Sequence, residues 1–115
     1  MKPTLRTYPH AVVIELEGEA DLATVPDFQE MVRAQMKANV QRLIIDFTKV
    51  TFVNTPVWAV IVEYFQHASA ARTEFALTGI RGRVEASFNI VRLGDFVTHL
   101  PTVEDALRAP KLAKP

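Results

Sequence analysis

Leu43-Ile44-Ile45 is an unbroken run of branched apolar residues that ends at Asp46-Phe47. Successive side chains of a strand point to opposite faces, so this run suits a central strand buried on both. Such a strand needs neighbours, and the rest of the chain supplies them in alternation with helical segments. Ala11 to Glu17 reads AVVIELE, with Val12, Ile14 and Leu16 alternating against Val13, Glu15 and Glu17. A period of two predicts a strand whose outer carboxylates discourage edge pairing. Gly18-Glu19-Ala20-Asp21 is read as its end.

Thr24, followed three residues later by Asp27, is a capping pattern with Pro26 in the first turn. Phe28, Met31, Val32, Gln35 and Met36 then recur at helical spacing, and Asn39 is a suitable left-handed stop. After the Leu43–Phe47 strand, the stretch holding Val50 and Phe52 is read as a loop. Thr55-Pro56 reads as a capping hydroxyl followed by proline at the first helical position. The helix from Pro56 to about Ala71 is apolar nearly all round. Phe75-Ala76-Leu77 predicts a third core strand. Val84, Phe88 and Val91 predict a helix closed by Gly94, and Phe96-Val97 an extended piece. Thr102 with Asp105 caps a last helix, Val103 to Ala109.

The resulting order is β-α-β-α-β-α-β-α, with Thr4 to Tyr8 as a candidate further strand. It predicts an α/β fold: a mostly parallel, mixed sheet of four to five strands with crossover helices. The 115 residues fit one domain, assigned to 1–110, with 111–115 as a frayed tail.

Charge narrows the function. Lys+Arg and Asp+Glu both number 13, a net charge of +0. Nucleic-acid binders and polybasic membrane anchors usually carry a basic excess, so neither partner is expected. The absence of cysteine excludes disulfides, thiolate metal sites and a cysteine nucleophile. Met1 to His10 holds no apolar run, and Val57 to Val62 is too short to span a bilayer, so a cytoplasmic protein is expected.

No motif carries chemistry. His10, His67 and His99 have no metal-ligand spacing, and Ser69 and Ser87 lie within helical patterns rather than at a nucleophile elbow. Gly79-Ile80-Arg81-Gly82-Arg83 lacks the Lys-Ser/Thr of a phosphate loop; it follows a strand, so it reads as a β-to-α turn. Asp46 at a strand end has the position of a receiver phosphoacceptor, with Glu19 and Asp21 as an acidic pair. The last strand ends in Val97-Thr98-His99, however, without the lysine that site requires. No enzyme, metal or cofactor is expected.

Three segments carry a family resemblance over roughly Leu5 to Leu107. Glu15-Leu16-Glu17-Gly18-Glu19-Ala20-Asp21-Leu22, Arg42 through Val53, and Gly94-Asp95-Phe96 through Thr102-Val103-Glu104-Asp105-Ala106-Leu107 resemble, in order and spacing, the STAS (anti-sigma-factor-antagonist) domain. The resemblance implies a non-catalytic module that docks to an anti-sigma factor of the serine-protein kinase type. It also implies a phosphorylation loop of the form D-S-[ST]-G-x-G at the start of the second helix. Here Asn54 stands at the Asp position, Thr55 and Pro56 at the two hydroxyl positions, Val57 and Ala59 at the glycines, and Trp58 between them. The loop is therefore degenerate. Thr55 is the one candidate for phosphorylation, and its reading as a helix cap competes with that role.

The expected contact surface is Asp21, Asn54, Thr55, Pro56, Val57 and Trp58. Trp58, the sole tryptophan, is either an exposed anchor or a core residue. The rival reading is a permanent subunit of a larger assembly, a stress-signalling complex or a lipid transporter's cytoplasmic part. Homo-oligomerisation stays open on either reading.

Overall fold

The computed structural model describes residues 3–20, 23 and 25–110. Five strands form one sheet in the order β1-β2-β3-β4-β5: β1 Thr4–Tyr8, β2 Ala11–Ala20, β3 Arg42–Val53, β4 Glu74–Thr78 and β5 Thr98–Leu100. Four helices accompany them: α1 Val25–Ala38, α2 Thr55–Ala71, α3 Gly82–Ile90 and α4 Val103–Arg108. A 3-10 turn, Leu93–Asp95, follows α3. β1 pairs antiparallel with β2, and the three remaining pairs are parallel. The expected mixed sheet is present, and the candidate strand Thr4–Tyr8 is its edge.

Alternation divides the core into two. Val12, Ile14, Leu16, Leu43, Ile45, Phe47, Phe75 and Leu77 point to one face, where Phe28 and Val32 of α1, Val57, Ile61 and Tyr64 of α2, and Val84 and Phe88 of α3 cover them. Val13, Ile44 and Ala76 point to the other, under Ala106 and Val103 of α4. The Leu43-Ile44-Ile45 run is thus buried on both sides, as its composition requires.

α4 has only six residues, too few to hold itself in place by helical propensity. Arg42 fastens it to the sheet. Its Nη1 donates to the carbonyls of Ala106 and Ala109, both at 2.7 Å, while Nη2 grips the Glu74 carboxylate at 3.0 and 3.1 Å. Thr102 Oγ1 caps the other end of α4, accepting from the Asp105 amide at 3.1 Å, as its sequence pattern predicts. Asn39 takes the left-handed conformation expected after α1, with φ 53°.

Several boundaries differ from the sequence reading. β2 does not end at Gly18; it runs to Ala20 with two irregularities in register, and Gly18 adopts φ +79° at the second. The Val50–Phe52 stretch is strand, not loop. It pairs with β2 through Glu17↔Lys49, Gly18↔Val50 and Glu19↔Phe52. β2 is an interior strand, so Glu15 guards no edge and instead pairs with Arg6 and Lys49. The last strand begins at Thr98, since Val97 is drawn into the core and Phe96 lies in the turn before it. α3 stops at Ile90, before Val91. Thr24, the expected cap of α1, and the tail 111–115 fall outside the described residues.

β3 outruns β4. The last β3–β4 pair is Asp46↔Thr78, after which β3 continues beside β2 alone. Gly79 makes this parting possible. At φ +70° it lies so close to Thr48 that a Cβ would meet the Thr48 amide nitrogen at 2.6 Å and Cα at 2.7 Å. Gly18 has a similar dihedral but open space around it. Gly18→Ala should therefore cost only the left-handed strain, about 1–2 kcal/mol. Gly79→Ala adds a backbone clash and should cost at least about 1–3 kcal/mol more. Urea denaturation of the two variants checks this, and equal losses would show that Thr48 yields freely.

Candidate functional site

α2 begins where the projecting part of β3 ends, at the carboxyl edge of the sheet. Loops at that edge form the usual binding crevice of α/β folds. The Asn54 amide donates to the Ala20 carbonyl at 2.8 Å, tying the start of α2 to the end of β2. Asn54 is extended, with φ −83° and ψ 152°, and its carbonyl accepts from the Val57 amide at 3.0 Å. The N-cap is therefore Asn54. Thr55 is the first residue inside the helix and Pro56 the second. This corrects the reading of Thr55 as cap: proline is tolerated at either place because the amides of the first two helical positions have no intrahelical partner.

The shift of one residue also sets which side chains face inward. Val57 and Trp58 are buried, at 0% and 2% exposure. Trp58 stacks on Phe47 at 5.4 Å between centroids, tilts against Phe88 at 5.7 Å, and donates from Nε1 to Ser87 Oγ at 2.7 Å. It is a core residue that ties α2 to β3 and α3. Neither its ring nor the Val57 side chain lies on the surface. Thr55 is exposed, and Asn54 and Pro56 are half-buried. Asp21, the sixth expected contact, lies outside the described residues.

Three residues upstream of Thr55, the Phe52 ring is 40% exposed on the projecting end of β3. The sequence reading assigned it no role. Its exposure follows from the strand's extension, which the loop assignment concealed. Beside this ribbon, Thr48, Lys49, Val50 and Thr51 border a shallow groove with Arg81, Gly82 and Arg83 at the start of α3. Arg81 closes one end by donating to the Thr48 carbonyl at 3.2 Å.

Asp46 belongs to the scaffold of this edge. Its Oδ1 accepts from the Thr48 amide at 3.2 Å, Thr48 Oγ1 at 2.6 Å and Thr78 Oγ1 at 3.0 Å. Farther back, burial pushes the Tyr64 phenol above its ordinary range, so it stays neutral at physiological pH. Among the described residues, no three His, Asp or Glu side chains gather as metal ligands, and no helix is long and apolar enough to cross a membrane.

The geometry fixes the expected cost of mutation. Trp58→Ala should destabilise the fold by about 3–5 kcal/mol, as loss of a buried aromatic does. Ser87→Ala leaves the indole N–H without its acceptor and should cost about 1–3 kcal/mol. Thr55→Ala, removing an exposed side chain that caps nothing, should change stability by less than about 0.5 kcal/mol. Thermal melts of the three variants check this ordering. A Trp58→Ala protein melting like the parent would contradict the burial.

The STAS domain profile matches residues 2–106. Solved structures agree on the fold. An anti-sigma factor antagonist from Mycobacterium paratuberculosis superposes with a TM-score of 0.85 at 20% identity, over 93% of this chain and 91% of that one. The Bacillus cell fate determinant SpoIIAA, in its phosphorylated form, gives 0.76 at 19% identity over 95% and 99%. RsbS of Moorella thermoacetica, as a single-site variant, gives 0.78 at 20% identity over 91% of each chain. No curated protein sequence matches the chain. With the profile spanning nearly its whole length and the sheet order matching in space, the chain belongs to the STAS domain family.

Proposed function

We propose that this protein is a non-catalytic, cytoplasmic regulator that docks to an anti-sigma factor of the serine-kinase type through the first turn of α2. The observation carrying this reading is the exposed Thr55 turn set on a rigid base. Asn54 is hydrogen-bonded to β2, and the two residues after Pro56 are locked in the core. A surface held in one conformation loses little entropy on binding, which favours recognition without chemistry. Asn54, Thr55 and Pro56 form the centre of the contact, and Phe52 supplies apolar area beside it. Asp21, next in sequence after Ala20, is included in the proposed contact on the family resemblance alone.

The same turn is poorly built to hold a phosphate. A phosphoryl group on a helix N-terminus is stabilised by free backbone amides. Pro56 has none, and the Val57 amide already donates to the Asn54 carbonyl. The Val57 side chain points inward and does not crowd the surface. The amide that Pro56 lacks and the one Val57 already uses are what weaken the site. On this reading Thr55 stays unphosphorylated and the module binds constitutively.

Incubation with a serine kinase of the anti-sigma type and ATP, followed by intact-mass measurement, tests the switch. An unchanged mass is expected; a gain of one phosphate mapped to Thr55 would refute a constitutive module. For docking, Asn54→Arg should abolish binding to that kinase in titration calorimetry while leaving the melting temperature within a degree or two. Unimpaired binding would move the contact elsewhere.

A further inference from the structure

The geometry points to a second copy of this chain pairing antiparallel along the free edge of β1, with Leu5 on the two-fold axis, to give one continuous sheet across a homodimer. β1 ends the sheet, and no element of the described residues lies against its other side. Exposed edges are normally blunted by bulges, lysines or a covering loop. β1, Thr4-Leu5-Arg6-Thr7-Tyr8, has no bulge or lysine and an unbroken register with β2; its one charge, Arg6, is drawn into an ion pair with Glu15.

The register determines what the edge offers. Tyr8↔Ala11 closes a tight hairpin through Pro9-His10, so Tyr8, Arg6 and Thr4 exchange hydrogen bonds with β2. Leu5 and Thr7 then direct their amides and carbonyls outward. A two-fold at Leu5 pairs Leu5 with its own copy and brings Thr7 opposite Pro3 of the partner, a buried residue just before β1. The missing amide of Pro3 falls where one bond per side is forgone. A two-fold at Arg6 would also satisfy the outward groups, but it would place two arginines directly opposite one another, which is unfavourable. The Leu5 axis sets Arg6 against Thr4 of the partner strand and leaves its ion pair with Glu15 undisturbed.

Side chains and charge favour the same arrangement. Leu5, opposite Ile14, lies on the α1 face, 42% exposed, bordering a shallow groove with Met31, Ala34 and Gln35. A second Leu5 would cover that groove. Above it, Asp27, Glu30, Ala34 and Lys37 follow one stripe of α1 at helical spacing, and all four are exposed. The axis runs the two α1 helices antiparallel, bringing the acidic first half of one stripe against Lys37 of the other, with small Ala34 between. The pairing is isologous and closes at two copies. Residues 54–56 are not part of it.

Sedimentation equilibrium of the full chain should give twice the 12.9 kDa chain mass. Leu5→Lys places two like charges on the axis and should yield a monomer that keeps the parent's far-UV circular dichroism but loses the concentration dependence of its melt. Because the chain has no cysteine, Leu5→Cys is a direct probe. Paired Cα atoms there lie about 5.5 Å apart, within disulfide reach. Mild oxidation should give a covalent dimer, whereas Ile90→Cys, 81% exposed and remote in sequence, should not. A parent monomeric at every concentration, a dimer indifferent to Leu5→Lys, or equal crosslinking at position 90 would overturn the proposal. A monomer that instead takes up an extended peptide along β1 would also overturn it, by giving the edge to a different partner. Asn54→Arg should leave the dimer intact, which separates this test from that of the α2 surface.

Discussion

At Asp46, β3 changes from a strand with neighbours on both sides to a strand paired on one side only. β4 ends at Thr78, and the chain must turn away while β3 keeps going. A buried carboxylate is costly unless hydrogen bonds compensate it. Here Oδ1 takes three donors, two from Thr48 and one from Thr78, and so joins the two strands at the point of parting. Gly79 then presses against Thr48, and Arg81 donates to the Thr48 carbonyl that β4 no longer reaches. Everything at the carboxyl edge near α2 hangs from this junction. The β2–β3 ribbon projects from it, and α2 starts from the ribbon's tip.

The central part of the fold was legible because burial there is complete. Leu43-Ile44-Ile45, Phe75-Ala76-Leu77 and the alternating Val12, Ile14 and Leu16 are driven by the same apolar faces that the sequence displays. The ribbon was not. In Thr48-Lys49-Val50-Thr51-Phe52-Val53 the buried residues are Val50 and Val53, three apart, because shifts in register break the period of two. Strand pairing there is held by backbone partners in β2, which composition does not reveal. Gly18 reinforced the error, since glycine marks a bulge as readily as an end.

At the site, one misplaced residue produced both the false cap and the ambiguity of Trp58. Each helical residue turns the side chain by about 100° around the axis. If α2 began one position later, the inward face would move by that angle, and nothing in an apolar stretch such as Val57-Trp58-Ala59-Val60-Ile61 fixes the phase. The tie from the Asn54 amide to the Ala20 carbonyl fixes it, and that contact spans 34 positions of sequence. The indole then falls between Phe47 and Phe88, and Ser87, which carries no motif, becomes the acceptor a buried tryptophan needs.

That placement changes what the loss of the family's glycines means. A side chain at position 57 that pointed outward would obstruct a partner. Pointing inward, it adds to the core beneath the turn, and Trp58 fastens the same turn to two further elements. A phosphate switch needs amides able to receive the new charge, and often some freedom to rearrange around it. Here Pro56 lacks one of those amides, and the Val57 amide is engaged by the Asn54 carbonyl. A constitutive binder, as proposed, needs neither: Asn54, Thr55 and Pro56 rest on the buried Val57 and Trp58 beneath them.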